Sequence, residues 1–259
     1  MGKTRRSKII LSSDYDKRQL EKAYYIIFHP DHQRQLTRVK ATVMVGQRVL
    51  TSWAGDIYVD MINAGNEDPF VFNNPWLYSY CHASQLRRNR RDDSYLQTGS
   101  KIIFVSGQQA NNGILCIDTV FLIGGIQKWD NKRLQLPLKY QSHFQNNQSS
   151  LWKRHFKFPF HGKHKTVSHT YEADLWSKNK TDFSFLPLDK NADRVSVSFD
   201  NFKPSLIEKI TNKVKGKYPV LLTDSEIKIV IAAIENATTT KILRNITSNV
   251  TVTSKKGNC

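Results

Sequence analysis

Between Asn131 and Tyr171 the chain contains no Asp and no Glu. A stretch that long without an acid cannot neutralise its own lysines and arginines locally, so its charge is left for a partner to meet. Cysteine is scarce as well. Cys81, Cys116 and Cys259 lie far apart and form no CxxC pair, which argues against a disulfide framework. No apolar run reaches membrane-spanning length. The patterns GxGxxG, GxxxxGK(S/T) and GxSxG are missing, so a dinucleotide fold, a P-loop and a serine-hydrolase elbow are not expected. No complete catalytic signature takes their place. Whether the chain is an enzyme stays open on these residues, and no cofactor is required.

What the chain has in excess is positive charge: Lys+Arg 39 against Asp+Glu 22, a formal +17 and a pI near 9.8. Such an excess repels itself in the compact state, and nucleic acid is its commonest anionic partner. A membrane surface is the competing partner. It is disfavoured because the basic residues do not gather on one amphipathic helix. A hydrophobic share of 39% fits a folded protein, and 259 residues suffice for a substantial core. The opening MGKTRRSKIILSSDYD has only a short apolar patch, and Arg6 stands where a myristoylation pattern wants Ser or Thr. The expected compartment is therefore the cytoplasm.

The apolar pattern predicts an α+β core over residues 20–200 and a helical part over 201–250 packed on it. Ala23 to His29 reads as a strand stopped by Pro30. Thr37 to Val45 and Arg48 to Trp53 flank Gly46-Gln47, a hairpin turn. Asn63 to Pro75 is dense in Gly, Asn, Asp and Pro and should be a loop. A helix is predicted over Pro75 to Arg88, with Asn74 as cap and Pro75 in the first turn. KIIFVS (Lys101 to Ser106) and ILCIDTVFLIGG (Ile114 to Gly125) predict two central antiparallel strands, and DFSFLPL and DRVSVSF shorter ones. KPSLIEKITNKV and TDSEIKIVIAAIENA predict helices, the second opened by a Thr223/Glu226 capping box with Ile227, Val230, Ile231 and Ile234 along one face.

The segment GSKIIFVSGQQANNGILCIDTVFLIG, Gly99 to Gly124, resembles the central hairpin of PUA-like small β-barrels, the superfamily of EVE, ASCH and YTH domains. Gly99, Gly113, Ile102, Phe104, Ile114, Ile117 and Val120 carry the likeness, whereas Ser100 stands where those families often have Asp. The resemblance implies a mixed or antiparallel barrel-like sheet with an inserted helix and C-terminal helices. It also implies a site that reads one base, often a modified one, taken out of the stack onto flat side chains. DPFVFNNPW with DFSFLPL is similar to nucleotide-modification-associated domain proteins of phage and bacterial DNA-modification and defence loci. That likeness implies a role in DNA modification or phage defence. On its own residues, the segment reads equally as a hairpin of any α+β protein.

Trp53, Trp76 and Tyr80 are the candidates for a base pocket, each at a strand end or beside the Asn63 to Pro75 loop; the alternative for each is core packing. Arg87, Arg88, Arg90 and Arg91 form a patch of guanidinium forks suited to phosphates, or one that answers a helix dipole and Asp92-Asp93. Lys153, Arg154, Lys157, Lys163 and Lys165 alternate with Trp152, Phe156, Phe158 and Phe160, cations for phosphates among rings for bases. His161, His164 and His169, followed by Glu172 and Asp174, make a competing zinc reading. Such a site would activate water in a metal-dependent nuclease or a nucleotide-modifying enzyme.

Overall fold

The computed structural model describes residues 22–29, 34–60, 69–72, 74–78, 86, 96–106, 112–128, 169–214 and 219–248. Eleven strands and two α-helices are named within them: β1 (Tyr24–His29), β2 (Arg34–Val45), β3 (Arg48–Asp60), β4 (Leu77–Tyr78), β5 (Lys101–Ser106), β6 (Ile114–Lys128), β7 (His169–Ala173), β8 (Leu186–Leu188), β9 (Val195–Ser198), α1 (Pro204–Val214), β10 (Val220–Leu222), α2 (Asp224–Ala237) and β11 (Thr240–Ser248). The larger sheet runs β10-β1-β5-β6-β7-β4, with β9 also paired to β6; the smaller runs β3-β2-β11-β8. Among the described strands only β1 and β5 are parallel neighbours.

Two-residue periodicity explains the layers. Along β1 and β5, Tyr25, Ile27, Ile102 and Phe104 enter the core shared with the smaller sheet, while Ile26, Ile103 and Val105 enter a second core under the helices. Both faces of these strands are buried, which is why their sequences are apolar without alternation. On β6 the alternation changes phase. Thr119 pairs with Phe104 and Ile117 with Val105, which leaves Asp118 as the extra residue of a bulge. Before it Leu115 and Ile117 face the helices; beyond it Val120 does so, and Phe121 and Ile123 turn to the smaller sheet.

The helices bury one stripe each. Leu206 and Ile210 of α1 and Ile227, Val230 and Ile234 of α2 lie in the helix-side core, with Ile231 partly buried against it. The capping box is present in full. Thr223 N donates to Glu226 Oε2 (2.7 Å) and Glu226 N to Thr223 Oγ1 (3.3 Å). In the smaller sheet the β2–β3 hairpin closes at Val45↔Arg48, and Gly46 holds the positive φ of 57° that its turn requires. The residue range read as C-terminal helical also contains β10, which pairs with β1, and β11, which pairs with both β2 and β8.

The expected class holds at its coarse level, and one expected element needs correction. The class is α+β, mostly strands in mixed and antiparallel sheets, but no closed barrel forms among the described residues, because each strand order has two ends. The apolar faces are buried by layering, helices on one side of the larger sheet and the smaller sheet on the other, so closure is not needed to cover them. The helix predicted from Pro75 does not begin there. Leu77 and Tyr78 are a strand facing Glu172 and Tyr171, and Leu77 also bridges Phe70. Trp76, Leu77 and Tyr78 are consecutive and all buried, a demand that an extended segment between two neighbours meets and a one-sided helix does not. Pro75 follows a cis peptide bond. The rest of that span lies outside the described residues except Leu86, which is buried in the core between the sheets.

Candidate functional site

Where the basic segments attach is fixed by three adjacent strands. β6 ends at Lys128 and β7 begins at His169, and these two residues are direct partners in the antiparallel register. The whole of 129–168, with most of the acid-free stretch, is therefore an insertion between paired strand ends. β4 runs antiparallel to β7 with Tyr78 opposite Tyr171, so the chain leaves β4 toward the end where His169 lies. The segment carrying Arg87 to Arg91 thus departs from the same end of the sheet as the segment carrying Lys153 to Lys165.

The framework beneath is close to charge balance. Among the described residues Lys and Arg only modestly outnumber Asp and Glu, so most of the +17 belongs to the remainder. Framework cations are also paired: Lys101 with Asp182 (2.9 Å), Arg194 with Asp118 (3.2 Å), Lys209 with Glu226 (2.7 Å), Lys241 with Glu235 (2.8 Å). Asp118, the bulge residue, has a fully buried side chain, and the Arg194 that meets it also lies 4.1 Å from the centre of the Tyr58 ring. That contact ties β3 of the smaller sheet to β6 of the larger.

Of the predicted base-pocket residues, Trp76 has 0% exposure within the core between the sheets. Trp53 is half-buried, packed against the same core, with its ring laid over Gly55, where a Cβ would collide with it. Tyr80 lies outside the described residues. So do Arg87, Arg88, Arg90, Arg91, Lys153, Arg154, Lys157, Lys163, Lys165, His161 and His164. His169 begins β7 and Glu172 is in it, while Asp174 follows and pairs with Lys180. Among the described residues no group of three or more His, Cys, Asp and Glu side chains converges.

A different aromatic stands at an open hollow of about 340 Å³, at the other end of β4 and β7. Its wall combines Asn74 and Pro75, Trp176 and Lys180, and Arg244 and Asn245. Trp176 opens the turn after β7, a turn closed by Lys180 N donating to Ser177 O at 3.0 Å. Arg244 and Asn245 sit where β11 slips register twice against β2, and Asn245 has a φ of 57°, a conformation Asn tolerates better than most residues. The bulge aims its amide sideways. Asn74 Nδ2 donates to Asn245 Oδ1 (2.9 Å), Asn245 N donates to Asn74 Oδ1 (3.3 Å), and Asn245 Nδ2 donates to Thr42 Oγ1 (3.2 Å). The Arg244 guanidinium lies 5.5 Å from the Trp176 ring centre, and its buried Nε meets no hydrogen-bond acceptor among the described residues.

No family model, curated protein or solved structure matches the chain. The site is read from its own chemistry. Trp176 is not among the expected pocket residues, although DLWSKNKTD carries a signal for it: an aromatic placed after a strand and followed at once by turn-forming residues. Arg244 and Asn245 gave none, because a bulge in β11 is set by its pairing with β2.

Among the described residues no helix is long and apolar enough to cross a membrane.

Proposed function

We propose that this chain binds nucleic acid, DNA in preference to RNA, through the two basic segments rooted at one end of β4, β6 and β7. The observation that carries the reading is the separation of charge. A framework close to charge balance, several of whose cations are paired with its own carboxylates, supports insertions in which cations far outnumber acids. Arginine forks around Arg87 to Arg91 suit phosphate oxygens, and lysines interleaved with aromatics over Lys153 to Lys165 suit a single strand's backbone and bases. An insertion of that length between two directly paired strand ends is not needed to connect them, and long connections of this kind are usually functional.

The test is fluorescence anisotropy on labelled DNA and RNA, single- and double-stranded, across ionic strength. With several phosphates neutralised, affinity should fall about a thousandfold or more between 50 and 200 mM salt. Replacing Arg87, Arg88, Arg90 and Arg91 by Ala should flatten that slope. Affinity that ignores salt would overturn the proposal. The finer reading, in which a PUA-like hairpin takes a modified or flipped base for a cytoplasmic role in DNA modification or phage defence, draws its support from the hairpin resemblance. A preference for oligonucleotides carrying modified bases over unmodified ones would support it.

A further inference from the structure

We infer that the hollow between Trp176, Arg244 and the Asn74–Asn245 pair is a subsite for a single nucleotide unit, its phosphate on the Arg244 guanidinium and its base against Trp176. The inference rests on the nucleic-acid reading for the class of ligand. The subsite itself is carried by the hollow's own geometry.

Charge selects the anchor. Lys180 is on the wall but is already paired with Asp174, so it contributes little net potential. Arg244 has no carboxylate partner among the described residues, and its Nε is a buried donor without an acceptor there, so the positive charge at this wall is not met from within the fold. A phosphate offers oxygens that a guanidinium fork can meet bidentately, and the nucleic-acid reading makes it the anion to expect here. The flat surface beside it is Trp176, half-buried and held on a turn, and a base can stack on an indole ring and a guanidinium plane alike. The two exposed amides supply the edge. Asn74 and Asn245 hold each other in place through two hydrogen bonds, and each amide retains donor and acceptor capacity for a base edge or a sugar hydroxyl. The volume, about 340 Å³, lies at the small end of ligand sites, which run from about 300 to 1,000 Å³, so it suits one nucleotide and excludes a duplex. Its place matters too. β7 spans five residues, so the hollow is roughly 13 Å from the strand ends where the basic segments attach, within reach of the same bound strand.

The experiment is calorimetric titration of the full chain with deoxyadenosine 5′-monophosphate, with deoxyadenosine and inorganic phosphate as separate probes. Saturable binding of the monophosphate is expected, tighter than either probe alone. Trp176→Leu and Arg244→Gln should each weaken it by about tenfold or more, and Trp176→Phe, which keeps a ring, by much less. Thermal unfolding of each variant checks that the fold is intact; if Trp176→Leu does not fold, the contrast between Arg244→Gln and Arg244→Lys decides. No binding of the monophosphate at millimolar concentration overturns the inference, as does equal binding to folded Trp176→Leu or equal affinity for inorganic phosphate. The two readings fail separately. Strong salt-sensitive polymer binding without monophosphate binding removes the subsite alone, whereas monophosphate binding lost in Trp176→Leu, in a protein that ignores polymers, keeps the subsite and removes the polymer reading.

Discussion

Glu226 shows how one side chain is tuned by its neighbours. Desolvation pushes its carboxyl up, but hydrogen bonds from Lys209 and from Thr223 outweigh that and hold it below the ordinary Glu value. A carboxyl whose folded pKa is depressed stabilises the fold above its unfolded pKa and loses that contribution as pH falls through the folded one. Glu226→Gln, which keeps the cap's hydrogen-bonding pattern but loses the charge facing Lys209, should therefore cost up to about 1 kcal/mol at neutral pH, with the gap from the parent closing on acidification below the ordinary carboxylate range, measured by urea unfolding at several pH values. A second residue-scale test concerns Arg194. Arg194→Met would remove the cation that lies 3.2 Å from the buried Asp118 carboxylate, a loss of up to about 3–5 kcal/mol measured by urea unfolding. Replacing both residues by apolar ones should cost less than Arg194→Met alone. At this scale the sequence was readable where a residue's role is local, as in the Thr223/Glu226 box. It was not readable for the tryptophans, since Trp53, Trp76 and Trp176 are equally aromatic and only the packing distinguishes the buried ring of Trp76 from the two half-buried ones.

Elements whose stability comes from their own pattern were legible: β1, the β2–β3 turn, β5, β6 and both helices fall where periodicity and caps put them, although β3 runs on to Asp60, well past the Trp53 where the pattern ends. Elements defined by distant partners were not. β4 is two residues long and exists because Tyr171 and Glu172 lie beside it, and in isolation WLYSY following Asn-Pro reads as a helix start. β11 is polar and Thr-rich, and it is a strand because β2 and β8 flank it. The insertion between β6 and β7 gives a test at this scale. Because Lys128 and His169 are register partners, replacing residues 129–168 by Asn-Gly should close the two strands with a tight hairpin turn and leave cooperative thermal unfolding in place. Loss of the cooperative transition would mean that the insertion is part of the framework. The same variant should lose most polymer affinity while the Trp176 hollow keeps the mononucleotide.

For the molecule as a whole, charge sets a stability dependence that the framework alone would not have. A net +17 repels itself, so added salt should raise the melting temperature of the parent protein, as long as a non-binding salt such as sodium chloride is used. The variant without 129–168 should show a flatter response in differential scanning calorimetry. Composition made the charge legible at once. Its division between a nearly balanced framework and unbalanced insertions was not, because it depends on which segments the fold takes into its sheets.

The place of β11 between β2 and β8 has a consequence for biogenesis. The β2–β3 hairpin is synthesised about two hundred residues before the strand that completes its sheet, and contacts of such separation close slowly. Throughout that interval Val39, Ala41 and Val43 present an apolar face beside a bare strand edge, a template for pairing with the wrong chain. The nascent protein should therefore depend on holding chaperones during translation, and its yield should respond more to their supply than the stability of the finished fold would suggest.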